Sequence, residues 1–408
     1  MGAEQVDTLI VGGGQAGLAM SAHLSRRGLP HLIVERYRIA ERWRSERWDS
    51  LVANGPAWHD RFPDLAFDDL DPQSFAPKER IVRYFEDYAR QIAAPLRCGV
   101  EVTRAERKAD GGFRVGTTHG VIEARNLVAA TGPFQRPVIP AVVPEEAGVF
   151  QLHSSSYRSP AHLPEGAVLV VGAGSSGAQI ADELLRAGRQ VYLSVGPHDR
   201  PPIRYRGKDF CWWLGVLGLW DARARAPGTE HVTIAVSGAH GGRTVDFREF
   251  AERGMVLLGR TGAFEKGVMQ VAGDLQENIA RGDENHLSVL AAADAYVTQN
   301  GLDLPPEPEA RRLRPWPDCA TNPIRSLDLA RCGITTLLWA TGYRLDFTWL
   351  KVGHYDAKGA PLHRRGRAEG VPGLYFLGLP WLARRASPFI WGVWHDADDL
   401  AEEIMHRH

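Results

Sequence analysis

The chain has 408 residues, of which 44% are hydrophobic and 24% charged, and its formal net charge at pH 7 is −1. This length allows two or three compact domains, and the balanced charge excludes nucleic acid as a partner. The chain opens on a predicted strand without a secretory signal, and no apolar run is long enough to span a bilayer, so we expect a cytoplasmic protein. The four cysteines (Cys98, Cys211, Cys319 and Cys332) form no C-x-x-C pair, which argues against a dithiol redox centre and predicts no metal site.

The first predicted unit is a strand, a glycine turn, a helix and a second strand, in TLIVGGGQAGLAMSAHLSRRGLPHLIVER. Gly12, Gly14 and Gly17 have the G-x-G-x-x-G spacing that gives a sharp turn, a close approach of the backbone to a pyrophosphate, and tight helix–strand packing. Glu35 ends the second strand. Because a carboxylate only accepts hydrogen bonds, Glu35 suits the free hydroxyls of an adenosine ribose.

The segment EVTRAERKADGGFRVGTTHGVIEARNLVAATGP alternates apolar and polar residues around two turns, which predicts a three-stranded meander. It ends in AATGP (129–133), and an analogous WATGY (339–343) follows the second unit. Small residues there allow the backbone to pass close to a cofactor and to change domain. Because A-T-G is a common tripeptide, only its recurrence after each unit is informative.

A second unit, VLVVGAGSSGAQIADELLRAGRQVYLSVGP, repeats the glycine pattern at Gly172, Gly174 and Gly177, shifted by 160 residues. One match to this pattern is weak, but two copies in a common frame predict two dinucleotide sites. Val195 stands at the place of Glu35, and the missing carboxylate favours a cofactor with a 2′-phosphate. That phosphate could be held by Ser194, His198 and one of Arg200, Arg204 or Arg206; alternatively, the arginines are solvated loop residues.

The sequence therefore predicts an α/β fold with two Rossmann-like dinucleotide-binding domains. We expect a discontinuous first domain, residues 1–160 and 325–408, that carries the meander, and a second domain at 161–324. The apolar run FCWWLGVLGLW (210–220) predicts a buried helix, with a membrane-facing or substrate-channel wall as the alternative. Ser387 and Pro388 give the signature of a helix start, so a final helix is expected from about Pro388 to Met405.

The two glycine units, together with ERWRSERWDSL, AATGPFQRP, LHSSSY, WATGYRLDF and VPGLYFLGLPWL in this order, resemble the class B flavin-dependent monooxygenases. Within that class the chain is most similar to the short bacterial flavoproteins that resemble flavin-containing monooxygenases. The resemblance covers essentially the whole chain and implies FAD in the first domain and NADPH in the second. We expect one group of cofactor-binding residues in the first unit, in the segments after it and at the final helix. This group is Gly12, Gly14, Gln15, Ala16, Gly17, Glu35, Arg36, Trp43, Arg44, Val102, Ala130, Thr131, Gly132, Pro388 and Phe389. Those expected around the second unit are Gly172, Gly174, Ser175, Ser176, Gly177, Ser194, His198, Arg200, Arg204, Ala340, Thr341 and Gly342.

The identifying motif of this class, F-x-G-x-x-x-H-x-x-x-Y, is only partly matched. His153 and Tyr157 fit it, whereas Ala147 and Val149 replace its Phe and Gly. The final Tyr is nearer to the branches that oxygenate nitrogen and sulfur or make auxin than to the Baeyer–Villiger branch.

The resemblance places Asn54 near the reacting edge of the flavin, where an amide could donate a hydrogen bond without adding charge. The alternative is turn chemistry, since Asn54-Gly55 is a strong turn dipeptide. His59 and Arg61 are candidates for the same cleft; the alternative is that the histidine is a solvated residue of a polar loop. The N-terminus of the final helix could offset the negative charge of a reduced flavin, or the helix only packs on the sheet.

The function implied by the resemblance is an FAD- and NADPH-dependent monooxygenase. Such an enzyme forms a C4a-(hydro)peroxyflavin with molecular oxygen and oxygenates a small apolar or aromatic molecule at nitrogen, sulfur or a carbonyl carbon. Two alternatives stay open: an NADPH-dependent flavin oxidase or reductase without oxygen insertion, and a redox-responsive binding flavoprotein. Whether the protein forms a homodimer also stays open.

Overall fold

A computed structural model describes residues 2–223 and 233–407. The α-helices are α1 (Gln15–Arg26), α2 (Glu41–Ser45), α3 (Lys78–Gln91), α4 (Ser175–Arg186), α5 (Phe210–Val216), α6 (Phe247–Glu252), α7 (Leu275–Gln299), α8 (Asp318–Thr321) and α9 (Ile390–Arg407). The strands of the first sheet are β1 (Glu4–Val11), β2 (His31–Glu35), β3 (Leu96–Cys98), β4 (Val102–Arg107), β5 (Phe113–Thr117), β6 (Gly120–Ala129), β21 (His363–Arg364), β22 (Arg367–Ala368) and β23 (Leu374–Phe376). The remaining strands are β7 (Arg136–Pro137), β8 (Phe150–His153), β9 (Ala167–Val171), β10 (Val191–Ser194), β11 (His198–Asp199), β12 (Arg204–Tyr205), β13 (Lys208–Asp209), β14 (Thr233–Ile234), β15 (Val256–Leu258), β16 (Thr261–Glu265), β17 (Val268–Val271), β18 (Ser326–Asp328), β19 (Ile334–Trp339) and β20 (Tyr343–Arg344).

The first sheet is built on parallel strands in the order β23-β6-β1-β2-β3. Its central strand β1 ends in a fully buried apolar run, Leu9–Val11, which pairs with β2 on one side and β6 on the other. The predicted meander is present as β4, β5 and β6, paired antiparallel in that order. Helix α9 packs against α1, so the end of the chain completes this domain.

The second sheet is parallel throughout, in the order β15-β10-β9-β19-β8. Its central strand β9 and the following helix α4 repeat the relation of β1 to α1. The sheet takes β8 from the segment before residue 160 and β19 from the segment after 325. Since both segments were expected in the first domain, the strand pairing extends the second domain beyond its expected boundaries.

Helix α5 coincides with the first part of the apolar run at 210–220, and Phe210, Trp213 and Leu214 on it are buried. Along the described ranges, no helix has both the length and the apolar composition needed to span a bilayer. The two domains are joined by two chain crossings, and β7 and β20, which lie on these crossings, pair antiparallel with each other.

Candidate cofactor sites and the cleft between them

The first glycine turn leaves the space that a dinucleotide requires. Gly12 has φ +117°, and a Cβ there would lie 2.5 Å from the carbonyl oxygen of Ala130. A Cβ on Gly17 would overlap the carbonyl oxygen of Gly12, so helix and strand pack at backbone contact. Gly14 differs, because a Cβ there would meet no atom within 4 Å. The open space lies directly before the N-terminus of α1, where unpaired amides and the helix dipole favour a phosphate.

Glu35 ends β2 beside this turn. Its Oε2 accepts a hydrogen bond from the Gly13 amide at 2.7 Å, and its Oε1 accepts one from the Tyr37 amide at 2.9 Å. The carboxylate is therefore held at the edge of the turn, where it can accept further hydrogen bonds from ribose hydroxyls. This arrangement fits an adenosine dinucleotide with a free 2′-hydroxyl.

Other residues expected near the first cofactor surround the same edge of the sheet. Arg36 pairs with Glu101 at 3.4 Å, and Val102 follows as the first residue of β4. Trp43 on α2 is half-buried and packs against the cores of both domains, while Arg44 donates to Glu86 at 2.5 Å. Arg44 is therefore tied to α3.

The second glycine turn repeats the first. Gly172 has φ +105°, and a Cβ there would lie 2.6 Å from the carbonyl oxygen of Ala340. A Cβ on Gly177 would overlap the carbonyl oxygen of Gly172. Gly174 has extended backbone angles immediately before α4, and the Ser175 hydroxyl donates to the Ile234 carbonyl at 2.8 Å. The half-buried Ser176 follows in the first turn of α4.

The two A-T-G segments lie against the two glycine turns. The Ala130 amide donates to Val11 at 2.9 Å, and the Ala340 amide donates to Val171 at 2.8 Å. Each segment thus continues the strand next to its turn and then leaves the sheet at a glycine with positive φ, which is Gly132 in one and Gly342 in the other. Thr131 accepts a hydrogen bond from Gln135, and Thr341 donates one to Val138.

His153, at the end of β8, binds the segment after β19 in which the chain passes from the second domain back to the first. Its Nε2 donates to the Gly342 carbonyl at 3.0 Å, and its Nδ1 accepts from the Ser155 amide at 3.1 Å. Burial lowers the pKa of His153, so the ring is neutral at pH 7. Tyr157, the other matching motif residue, donates to Glu183 on α4 at 2.8 Å. Both motif residues therefore hold the linker on the second domain.

The five candidates for holding a 2′-phosphate each have different partners. The buried Ser194 hydroxyl donates to Gly259 at 3.0 Å. His198 packs on Phe247 with its pKa lowered to about 4 by burial, so it carries no charge at pH 7. The three candidate arginines have other partners: buried Arg200 pairs with Asp283 at 2.6 Å, Arg204 donates to the Gln73 carbonyl at 2.7 Å, and Arg206 pairs with Asp294 at 2.9 Å.

Helix α9 begins at Ile390, close to the predicted start. Ser387 is buried and its hydroxyl accepts hydrogen bonds from the Ala383 and Arg384 amides, both at 3.1 Å. Gln15, the first residue of α1, donates to the Pro388 carbonyl at 2.7 Å. The N-termini of α1 and α9 therefore meet beside the first glycine turn, and Ala16 lies beneath them in contact with Gly378.

Asn54 lies at the contact between the two domains. Its Oδ1 accepts a hydrogen bond from Gln179 Nε2 at 2.8 Å, and the same nitrogen donates to the Val236 carbonyl at 2.6 Å. Gln179 is on α4, two residues after Gly177, the last glycine of the second pattern. The side chain of Asn54 thus connects the loop of one domain to the cofactor helix of the other.

An aromatic cluster, which we define as Trp58, His59, Trp220, Phe389 and Trp391, lies near the contact. His59 stacks on Trp220 at 5.1 Å between ring centroids, and Phe389 meets Trp220 edge-on at 5.3 Å. Phe389, the residue before α9, is 40% exposed. The sequence offered aromatic stretches in each segment but no signal that residues more than 150 positions apart would pack together.

His59 is 4% exposed and its Nδ1 lies 2.9 Å from Asp60 Oδ1. The other Asp60 oxygen accepts from the Gly55 amide at 2.9 Å, so Asp60 fixes both the Asn54-Gly55 turn and the imidazole. Within residues 2–223 and 233–407, no side chain or backbone group binds His59 Nε2. Arg61 donates to carbonyls of its own loop, such as that of Trp58 at 3.0 Å.

The described residues contain no group of three or more histidine, cysteine or acidic side chains that could hold a metal ion. The cysteines in the same ranges are free thiols. The fold and its two glycine turns thus define a protein with two Rossmann-like dinucleotide-binding domains.

Residues 9–204 match the family model described as pyridine nucleotide-disulphide oxidoreductase. The chain is 33% identical over 406 residues to an uncharacterized CzcO-like oxidoreductase of Geobacillus kaustophilus, covering 98% of this chain and 99% of the relative. It is also 33% identical over 429 residues to the indole-3-pyruvate monooxygenase YUCCA8 of Oryza sativa subsp. indica, covering 97% and 93%. A flavin-containing monooxygenase from Stenotrophomonas maltophilia has the same fold, with a TM-score of 0.68, 20% identity and 99% of each chain covered.

The chain belongs to the family of flavin-dependent, monooxygenase-like oxidoreductases that includes the CzcO-like proteins and the YUCCA enzymes. Its membership supports a flavin and a nicotinamide cofactor.

Proposed function

We propose that the protein is an FAD- and NADPH-dependent monooxygenase. Its substrate is a small apolar or aromatic molecule, oxygenated at nitrogen, sulfur or a carbonyl carbon. The observation that carries the proposal is the hydrogen bond of 2.8 Å between Asn54 and Gln179. This bond joins the loop that contains Asn54, shortly before Trp58 and His59 of the aromatic cluster, to α4, the helix that follows the second glycine turn.

The chain's own residues would hold the two cofactors. The first glycine turn and Glu35 bind the adenosine half of FAD, and the hydrogen bond of 2.7 Å from Gln15 to Pro388 fixes the N-terminus of α9 beside it. That N-terminus carries a partial positive charge, which stabilises an anionic reduced flavin. The second glycine turn binds the pyrophosphate of NADPH at the start of α4.

The cofactors, when bound, would supply hydride transfer from NADPH to FAD and the activation of oxygen as a C4a-(hydro)peroxyflavin. Asn54 Oδ1 accepts the hydrogen bond from Gln179, which turns the amide N–H groups of Asn54 away from α4. Those donors can stabilise an oxygen species without adding a charge. Trp58 and Trp220 donate their indole N–H groups to Asp209 at 2.9 Å and to Cys211 at 3.1 Å. With these polar groups satisfied, the cluster excludes water by its apolar faces.

The substrate class follows from the same cluster. Half-exposed aromatic faces such as that of Phe389 favour a flat apolar molecule over a polar one. The relatives include an enzyme named for indole-3-pyruvate, so aromatic keto acids join amines, sulfides and ketones in the screen. The measurement is substrate-stimulated NADPH oxidation.

Rapid mixing of NADPH-reduced holoprotein with oxygen tests the reaction. A monooxygenase gives a flavin-oxygen adduct that lasts until substrate is added and is then consumed with formation of oxygenated product. An oxidase instead gives immediate flavin reoxidation with one hydrogen peroxide per NADPH. A holoprotein that oxidises neither NADPH nor NADH refutes both enzyme functions and leaves the redox-responsive binding protein.

A further inference from the structure

The structure points to a different cation at the second adenosine site. We propose that Arg260, supported by Arg325, binds the 2′-phosphate of NADPH. This inference rests on the proposed use of NADPH, and it concerns a loop after β15 that follows the predicted arginines by more than fifty residues.

Strand pairing puts this loop beside the end of β10. In the second sheet Ser194 pairs with Leu258, and the Val195 amide donates to the Leu258 carbonyl at 2.8 Å. The Ser194 hydroxyl accepts a hydrogen bond from the Thr261 amide at 3.2 Å. The turn Gly259-Arg260 therefore lies against the residues that follow β10, where a Rossmann domain meets the adenosine ribose.

The internal repeat gives the same position independently. In the first sheet Val34 pairs with Arg97, and two residues later Gly99 donates its amide to the Tyr37 carbonyl at 3.2 Å. Arg260 follows Leu258 by two residues, as Gly99 follows Arg97. The two loops correspond, and the first of them borders the carboxylate of Glu35.

The side chain of Arg260 lies over the loop after β10. A Cβ on Gly196 would be 3.6 Å from Arg260 Cγ and 3.8 Å from Cδ, so the aliphatic part of the arginine covers this glycine. The guanidinium is held by Asp274, whose Oδ2 accepts from Arg260 Nε at 2.6 Å and whose Oδ1 accepts from the Arg260 amide at 3.0 Å. The arginine is nevertheless 62% exposed, which leaves it accessible to a ligand.

Arg325 adds a second positive charge at the same turn. A Cβ on Gly273 would overlap its guanidinium, so Arg325 lies against the residue that precedes Asp274. Arg260 and Arg325 carry two positive charges and Asp274 one negative charge, so these three neighbouring side chains have a net positive charge. Guanidinium groups form strong hydrogen bonds to phosphate oxygens, and an arginine fixed by a carboxylate loses less side-chain entropy when it binds.

The test uses FAD-loaded protein and two fragments that cannot be reduced, adenosine 2′,5′-bisphosphate and 5′-AMP. Titration calorimetry gives the ratio of their dissociation constants for the wild type and for Arg260→Gln, Arg260→Lys, Arg325→Gln and Arg204→Gln. Arg312→Gln is the matched control, since Arg312 is 81% exposed and pairs with Glu309, three residues earlier in the chain.

We expect the wild type to bind adenosine 2′,5′-bisphosphate at least about tenfold more tightly than 5′-AMP. Arg260→Gln should lose most of this preference, because it removes a charge-assisted hydrogen bond to the 2′-phosphate. Arg260→Lys retains part of it, Arg325→Gln loses less, and 5′-AMP binding stays within about twofold in all variants. A wild type without the preference overturns the proposal. So does an Arg260→Gln protein that keeps it, or an Arg204→Gln protein that alone loses it.

This experiment is independent of turnover. If the holoprotein fails to oxygenate any substrate but Arg260→Gln loses the bisphosphate preference, the proposed reaction fails and the phosphate site stands. If oxygenation is observed and the preference does not depend on Arg260, only the phosphate site fails.

Discussion

Replacing Gly14 by alanine separates cofactor binding from folding. Gly14 has φ −90° and ψ −166°, angles that alanine adopts, and the added methyl group would meet no protein atom within 4 Å. The free energy of unfolding of the apoprotein should therefore change by no more than about 0.5 kcal/mol. The methyl group fills the space through which a pyrophosphate approaches the backbone, so we expect colourless protein.

Gly17→Val is the contrasting change. Its Cβ would overlap the Gly12 carbonyl oxygen, so α1 must move away from β1. Overpacking of this kind costs about 1–3 kcal/mol, and the apoprotein itself should be destabilised. Gly116→Ala on β5 is the control for a generic glycine replacement, because its Cβ would have its nearest neighbour at 3.6 Å.

The assay combines flavin absorbance per protein with urea unfolding of the apoproteins. At a free FAD concentration one hundred times its dissociation constant, wild-type protein gains about 2.7 kcal/mol from the ligand. Gly14→Ala should lose that gain and keep the apoprotein stability. Stoichiometric FAD in Gly14→Ala would refute the placement of the pyrophosphate. An apoprotein as unstable as that of Gly17→Val would instead attribute the lost flavin to misfolding.

Three further predictions concern charge and coupling. Asp283 pairs with two buried arginines, Arg200 at 2.6 Å and Arg248 at 2.5 Å. Asp283→Asn leaves both without a counter-charge and should lower the free energy of unfolding by about 3–5 kcal/mol in urea titrations. Asp182→Asn, which breaks more exposed ion pairs, should cost about 1 kcal/mol or less, and equal effects would contradict the argument. Burial lowers the folded-state pKa of His198 from 6.5 to about 4. Between pH 6.5 and pH 4 the unfolded chain therefore binds one proton more at this residue than the folded protein does. As pH drops through this range, His198 lowers the free energy of unfolding by about 1.4 kcal/mol per pH unit. Urea titrations at several pH values should give a shallower slope for His198→Gln, and an unchanged slope would exclude this histidine as a cause. Asn54→Ala should reduce the share of NADPH oxidation that yields oxygenated product about tenfold, with the balance as hydrogen peroxide. Gln179→Ala releases the Asn54 amide and the Val236 carbonyl but keeps the amide itself, so it should reduce that share less. Unchanged coupling in Asn54→Ala would remove that residue from the reaction.

The parts of the fold that depend on neighbouring residues were predictable. Gly12, Gly14 and Gly17 determine a strand, turn and helix through backbone sterics alone, and Glu35 follows from the length of one helix and one strand. The same reasoning predicted the meander and the final helix, whose start at Ile390 lies two residues from the predicted one.

Contacts between distant segments were not predictable from these patterns. The partner of Arg200 is Asp283, 83 residues later, so the loop arginine expected to meet a phosphate is buried in an ion pair. His59 and Trp391 stack at 5.8 Å although their segments belong to opposite ends of the chain. Periodicity and turn signals report local geometry, whereas these pairs depend on how two domains and a returning helix pack.

The two dinucleotide units differ in how the end of the second strand is used. In the first, Glu35 occupies that end and its carboxylate is bonded to the glycine turn, which suits an uncharged ribose. In the second, Ser194 bonds instead to the next strand's loop at Gly259 and Thr261, so that Arg260 extends over the position after Val195. Replacing the acid by Val195 only removes repulsion between the protein and a phosphate. Attraction requires a positively charged side chain. In a parallel sheet such a side chain can come from the loop that follows the adjacent strand. Under this proposal, the same fold changes its cofactor preference through a residue outside the repeated motif, a residue that a comparison of the two motifs does not identify.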